Sequence, residues 1–144
     1  DGKVTRHYTL GAGSDMTLPV TAHDSLPVTV HGPNGFFRQF VGKGLPDVTL
    51  RYDPARDVVV LSLHNHDHAS RAVRIEDAYT HTTHETELPP NATTDTIWPV
   101  AVSDHWYDLT IQDPHHAHRL IQLAGHVENG RPSHTDPHMG RTGA

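Results

Sequence analysis

Val48-Thr49-Leu50-Arg51-Tyr52-Asp53-Pro54-Ala55-Arg56-Asp57-Val58-Val59-Val60-Leu61-Ser62-Leu63 decides the fold class of this chain. Apolar and polar residues alternate over 48–52, and apolar residues dominate 58–63. A period of two is what a half-buried strand requires, because successive side chains leave opposite faces of the pleat. Between the two runs lies Asp53-Pro54-Ala55-Arg56-Asp57. Proline at the second position of a turn presets φ, and the aspartate before it can accept a local backbone hydrogen bond. The stretch therefore reads as a β-hairpin.

Working outward, the same reading places strands at Thr5–Leu10, Met16–Val20, Val28–His31, Phe36–Val41, Ala72–Glu76, Thr82–Leu88, Thr94–Val100, Tyr107–Gln112 and Leu120–Val127. Helical periodicity is nearly absent. Eleven Gly and eleven Pro are spread along the chain and supply turns. Many short strands with no intervening helices predict an all-β antiparallel β-sandwich, immunoglobulin-like or similar.

Composition narrows the function classes. The formal charge is −6 and basic residues are never clustered, so a nucleic-acid partner is not expected. No run approaches the ~20 apolar residues that span a bilayer. Asp1–Leu10 lacks the apolar core of a signal peptide, consistent with a removed signal or an internal piece of a longer protein. The absence of cysteine excludes disulfides and thiolate metal sites. Histidine is the outlier, with 15 copies. If all titrate near ~6.5, the net charge turns positive by roughly pH 5.5.

An internal repeat sets the expected domain organisation. Leu10-Gly11-Ala12-Gly13, Asp15, Leu18-Pro19-Val20, Val28-Thr29-Val30 and Gln39-Phe40-Val41-Gly42 recur in order as Leu88-Pro89-Pro90-Asn91, Asp95, Trp98-Pro99-Val100, Leu109-Thr110-Ile111 and Gln122-Leu123-Ala124-Gly125. The spacing between counterparts widens slightly along the repeat, and each change falls in a predicted loop. Residues 1–43 are thus expected to be the C-terminal half of an upstream β repeat, 44–129 a complete sandwich repeat, and 130–144 a loosely ordered tail. A half-sandwich leaves apolar faces and strand edges uncovered, so residues 1–43 must pack on the second copy or be completed from elsewhere.

Several clusters bear on chemistry. His64-Asn65-His66-Asp67-His68 is similar to the HxHxDH loop of metallo-β-lactamase-type hydrolases, with one residue missing between the second His and the Asp. His64, His66 and His68 are metal candidates, since residues two apart at a strand end share a face. The plainer reading is a polar hairpin loop, and no metal or other cofactor is expected. His81 and His84 fall on opposite faces of a strand, and His115-His116 follow Asp113-Pro114 in a loop. His31-Gly32-Pro33-Asn34-Gly35 precedes a strand rather than a helix, which argues for a tight turn and against a phosphate cradle. Phe36 and Phe37 point to opposite faces, so only one can be core. The other, beside Arg38, is a candidate contact with a lipid surface or a neighbouring domain. Trp98 and Trp106-Tyr107 carry the residue types of a cation cage, although core packing accounts for them more simply. Ser103, Asp104 and His105 are consecutive and cannot form a triad by themselves. The interface candidates are therefore Phe36, Phe37, Arg38 and Trp106, and no catalytic residue is assigned.

His31-Gly32-Pro33-Asn34-Gly35-Phe36-Phe37-Arg38-Gln39-Phe40, Trp106-Tyr107-Asp108-Leu109-Thr110, Ala124-Gly125-His126-Val127-Glu128 and Asp136-Pro137-His138-Met139-Gly140 occur in the order of matching segments in another family. On these segments the chain resembles the C-terminal region of bacterial phosphocholine-preferring phospholipases C. It departs from that pattern at Leu26-Pro27-Val28, where a Tyr-Asp-Leu-like strand is expected. The proline favours an edge position for that strand. The resemblance implies two copies of a β module behind a large N-terminal domain of the alkaline-phosphatase superfamily. That domain hydrolyses phosphatidylcholine or sphingomyelin and holds the nucleophile and metal ligands, whose motifs this sequence lacks.

The resulting expectation is a non-catalytic accessory module of a secreted phospholipase C, extracellular or periplasmic. Its partners would be the catalytic domain and, through the exposed aromatic surface, a phospholipid surface. The alternatives are a stand-alone β-sandwich that binds carbohydrate, lipid or protein, and a small metalloenzyme built on His64, His66 and His68.

Overall fold

The computed structural model describes residues 27–33 and 35–127. The expected strands Thr5–Leu10 and Met16–Val20, and the expected tail, lie outside the described residues. Among the described residues there are nine strands: β1 (Val28–His31), β2 (Phe37–Val41), β3 (Asp47–Asp53), β4 (Val58–His64), β5 (Arg71–Asp77), β6 (Thr82–Leu88), β7 (Thr93–Pro99), β8 (Trp106–Asp113) and β9 (His116–His126). A single 3-10 turn, Ala101–Ser103, joins β7 to β8. All nine strand positions expected from the sequence within this range are occupied.

The strands form two antiparallel sheets, one of six strands in the order β1-β2-β9-β8-β5-β6 and one of three in the order β3-β4-β7. Strands β3–β9 alone give a seven-stranded sandwich, three strands facing four. This differs from the constant immunoglobulin division in one respect: the fourth strand, β6, pairs with β5 instead of joining the β3-β4-β7 sheet. The remaining two strands, β1 and β2, extend the larger sheet through β9.

The hairpin read first from the sequence holds, with Leu50 opposite Leu61 and Tyr52 opposite Val59. Asp53 takes the expected turn role: its carboxylate accepts from the Ala55 amide at 3.0 Å and the Arg56 guanidinium at 2.7 Å. β4 is the middle strand of its sheet, and Val58–Leu61 are buried without a break. Strand β7, which ends in Pro99, is an edge strand, where a missing N–H interrupts no ladder. Pro27 likewise precedes β1, the outermost described strand of the six.

Between the sheets lies one core. Val59, Leu61 and Leu63 of β4 and Trp98 of β7 face Val73 and Ile75 of β5, Leu109 and Ile111 of β8, and Ile121 and Leu123 of β9. Full burial of each aliphatic side chain is worth roughly 1.5–3 kcal/mol. Phe40 of β2 packs against the margin of this cluster.

Most strand ends shift from expectation by a residue, and the starts of β2 and β9 have structural consequences. β2 begins at Phe37, and Phe36 belongs to the preceding turn. β9 begins at His116, because a register irregularity between Gln112 and Asp113 lets Asp113 pair with His116 before the regular ladder resumes at Gln112 opposite Leu120. A bulge of this kind increases local twist and is invisible to a period-two reading.

Candidate functional site: the arginine and aromatic surface

The β1–β2 turn is built by chain reversal at Gly35, with φ of 71°. The Gly32 amide donates to Phe36 O at 2.9 Å, and the Phe36 amide to Pro33 O at 3.2 Å. This is the tight hairpin that the sequence implied. Gly35 also lies against Trp106, whose Cζ3 is 2.9 Å from where a Cβ would stand. Backbone conformation and ring contact thus both demand glycine there.

The turn delivers Phe36 to the surface, 37% exposed, over the guanidinium of Arg38 at 4.2 Å from the ring centroid. Arg38 also lies 5.4 Å from the Tyr107 ring centroid. Its Nη2 donates to the Tyr107 hydroxyl at 2.8 Å, and its Nη1 donates to the carbonyls of Phe37 at 2.9 Å and Ala124 at 3.0 Å. One cation is thereby fixed between two rings, in a geometry that favours both cation–π attraction and planar hydrogen bonding. Tyr107 also lies against Gly125, where a Cβ would stand 2.8 Å from its hydroxyl.

Phe37 is half-buried and meets His31 edge to face at 5.0 Å. Trp106 meets His126 at 4.7 Å. The sequence allowed only one of Phe36 and Phe37 into the core, and neither is buried. The inward-facing aromatic of this strand is Phe40, which alternation puts on the face opposite to Phe37, while Phe36 lies in the turn ahead of β2. Trp98, by contrast, is buried in the core with its indole N–H on Thr96 Oγ1 at 2.9 Å. Its packing role holds.

A polar cluster adjoins this end of the sandwich. Tyr52 donates to Asp57 Oδ1 at 2.6 Å, and His105 Nε2 lies 2.8 Å from the same oxygen. Asp57, Asp104 and His105 all have positive φ, which is uncommon for residues with a Cβ. The His105 amide donates to Val100 O and its carbonyl accepts from the Val127 amide, each at 2.8 Å. Asp57 and His105 thus clamp the β3–β4 turn to the β7–β8 connection. Ser103 is buried and donates to Trp106 O at 2.6 Å, so its hydroxyl serves the backbone. Val102, in the 3-10 turn, is 74% exposed.

At the opposite end, His64 and His66 stand ring to ring at 5.2 Å. Each has a protein partner: His64 Nδ1 lies 3.0 Å from Thr93 Oγ1, and His66 Nε2 lies 2.8 Å from Asp47 Oδ2. His68 is exposed in the following loop. Among the described residues, no group of three or more His, Asp or Glu side chains is arranged to hold a metal ion. The residue that organises this loop is Asn65. Fully buried, it donates to the carbonyls of Ala69, Leu88 and Pro89 and accepts from the Asp67 amide. A single Asn among histidines carries no sequence signal for that role, nor does a lone Tyr52 or Asp57 for the clamp.

His81 lies in the β5–β6 turn with φ of 58°, and His84 lies within β6. In the β8–β9 turn, the His115 amide and the His116 imidazole both bond the Asp113 carboxylate. Partial burial pushes the Asp113 pKa upward, but these two bonds and the neighbouring imidazole charges outweigh it. The carboxyl sits below its ordinary value.

The molecule is thus an antiparallel sandwich whose most elaborated surface is an arginine held among aromatic rings. Residues 46–126 match the family described as bacterial phospholipase C, C-terminal domain, and the chain belongs to that family. It is 38% identical over 119 residues, 76% of its length, to the non-hemolytic phospholipase C of Burkholderia pseudomallei, of which it covers 17%. To the hemolytic phospholipase C of Pseudomonas aeruginosa it is 36% identical over 75% of its length, covering 16% of that protein. The non-hemolytic phospholipase C of Pseudomonas aeruginosa matches 94% of the chain at 27% identity, and 22% of that protein is covered. The chain therefore spans about a fifth of the length of these relatives. The family that the sequence segments resembled is the family found.

Proposed function

We infer that this chain is the non-catalytic C-terminal module of a secreted phospholipase C that cleaves phosphatidylcholine-type lipids. The observation that carries the reading is the match of residues 46–126 to the C-terminal domain of that family, together with relatives whose remaining length is several times that of this chain. The described residues point the same way: the buried positions hold side chains of the packed core, and Ser103, His105 and Asp57 are engaged in tying loops together.

The module supports the catalytic domain by contact, and the Phe36–Arg38–Trp106 surface is the contact. An aromatic ring stacked on a fixed guanidinium keeps little conformational freedom to lose on docking, which is what a binding hot spot requires. Exposed Phe36 and Val102 also suit the headgroup region of a phospholipid surface. The test is hydrolysis of a choline phosphodiester by the isolated chain and by the longer polypeptide. Activity is expected only in the longer one; turnover by this chain alone would sink the reading. Phe36→Ala in the longer polypeptide separates the two contacts. A lowered melting temperature assigns the surface to the catalytic domain, and lost binding to phosphatidylcholine vesicles at unchanged stability assigns it to lipid.

A further inference from the structure

The registers of the two terminal hairpins agree at every position that the internal repeat makes equivalent. In the β1–β2 hairpin Val28 opposes Phe40, Thr29 opposes Gln39 and Val30 opposes Arg38. In the β8–β9 hairpin their counterparts are paired in the same way: Leu109 opposes Leu123, Thr110 opposes Gln122 and Ile111 opposes Ile121. The difference in spacing falls in the β8–β9 turn, where the ladder is irregular.

The two hairpins also meet each other at equivalent residues. In the β2–β9 pairing Gln39 lies opposite Gln122, its own counterpart, and is the middle residue of the paired segment Phe37–Val41. Arg38 opposite Leu123 and Phe40 opposite Ile121 are then exchanged by a local two-fold axis through the glutamine pair. Such an isologous arrangement is how two copies of one surface associate.

Burial breaks this symmetry. Leu109, Ile111 and Leu123 are 0%, 1% and 3% exposed, beneath the three-stranded sheet. Their counterparts Val28, Val30 and Phe40 face the same way but are only half-buried. The outer edge of β8 is covered by β5, with Ile111 opposite Ile75. Among the described residues, β1, the counterpart of β8, is paired on one side alone.

We propose that the β2–β9 ladder is a built seam joining two tandem copies of this sandwich edge to edge. In the polypeptide of which the chain is part, the upstream counterpart of β5 adds antiparallel to β1. That strand becomes the seventh of the larger sheet and gives β1 the neighbour that β5 gives β8. The occupant is specified by the repeat: whatever covers β8 and its inner face in one copy covers β1 and its inner face in the other. This rests on the phospholipase reading only for the existence of the longer polypeptide.

Two measurements test the seam. The chain contains no cysteine, so Gln39→Cys/Gln122→Cys can be oxidised without competing thiols. It should cross-link in most molecules, whereas Gln39→Cys/Leu123→Cys, whose side chains leave opposite faces, should stay at background. Equal cross-linking of both pairs overturns the seam. Hydrogen exchange at Val28–His31 should then slow by roughly ten- to a hundred-fold when the natural upstream sequence is attached. Equal exchange with and without that sequence overturns the added strand. Protection of β1 in a longer polypeptide that lacks phosphodiesterase activity upholds the seam and defeats the functional reading. Activity without protection does the reverse.

Discussion

Replacing Ile111 and Val30 by alanine, one at a time, measures how much of the β1–β2 face is part of a finished core. The two residues occupy equivalent positions in their hairpins, and each points toward the side on which the three-stranded sheet lies. Ile111 is 1% exposed and packs among Ile75, Leu109 and Ile121. Ile→Ala removes three carbons, a transfer loss of about 2.4 kcal/mol at ~0.8 kcal/mol per methylene. The cavity raises the expected cost to about 3–4 kcal/mol. Val30 is half-buried. Val→Ala removes two carbons, about 1.6 kcal/mol if fully buried, so the expected cost is about 0.8 kcal/mol, with no sealed cavity to add. Urea unfolding followed by far-UV circular dichroism reads both, provided the slope m is unchanged. An equal cost per carbon at the two positions would refute the reasoning, because it would mean that the inner face of β1 is already covered in this chain.

Other outcomes follow from particular contacts. Gly35→Ala meets both a positive φ and the Trp106 ring, and is expected to cost about 1–3 kcal/mol by thermal unfolding, with a change in tryptophan fluorescence. Asn65→Ala strands one buried and two partly buried carbonyls and should cost about 1–3 kcal/mol, whereas His66→Ala, at an exposed contact with Asp47, should stay within about 0.5 kcal/mol. Similar losses for the two variants in a denaturant titration would argue against Asn65 as the organiser of that loop. The lowered pKa of Asp113 makes its contribution complete above the ordinary carboxylate value and lost as pH falls through the folded value. Asp113→Asn should therefore flatten the decline in stability as pH falls below the ordinary carboxylate value of about 4, measured by unfolding at each pH. Asp53, lowered chiefly by the Arg56 guanidinium, declines in the same window and serves as the comparison.

Much of the architecture was legible because burial acts on alternate residues of a strand. Val48–Tyr52 and Val58–Leu63 carried their own period and their own turn, and the folded hairpin follows both. The surface around Arg38 was legible only in part: Phe36 and Arg38 adjoin in sequence, but Tyr107, which accepts from the guanidinium, is 69 residues away. The Tyr52–Asp57–His105 clamp and the Asn65 anchor were hidden for the same reason, since each depends on partners brought together by pairing of distant strands.

By itself, then, the sequence determined the strand positions, the sandwich class and the family, all of which depend on local periodicity and on order along the chain. Tertiary structure alone decided that β6 pairs with β5, that β2 docks on β9 with Gln39 facing Gln122, and that Phe40 instead of Phe36 or Phe37 turns inward. Those outcomes depend on which edges and faces meet, and the free energy of such a meeting is set by partners distant along the chain.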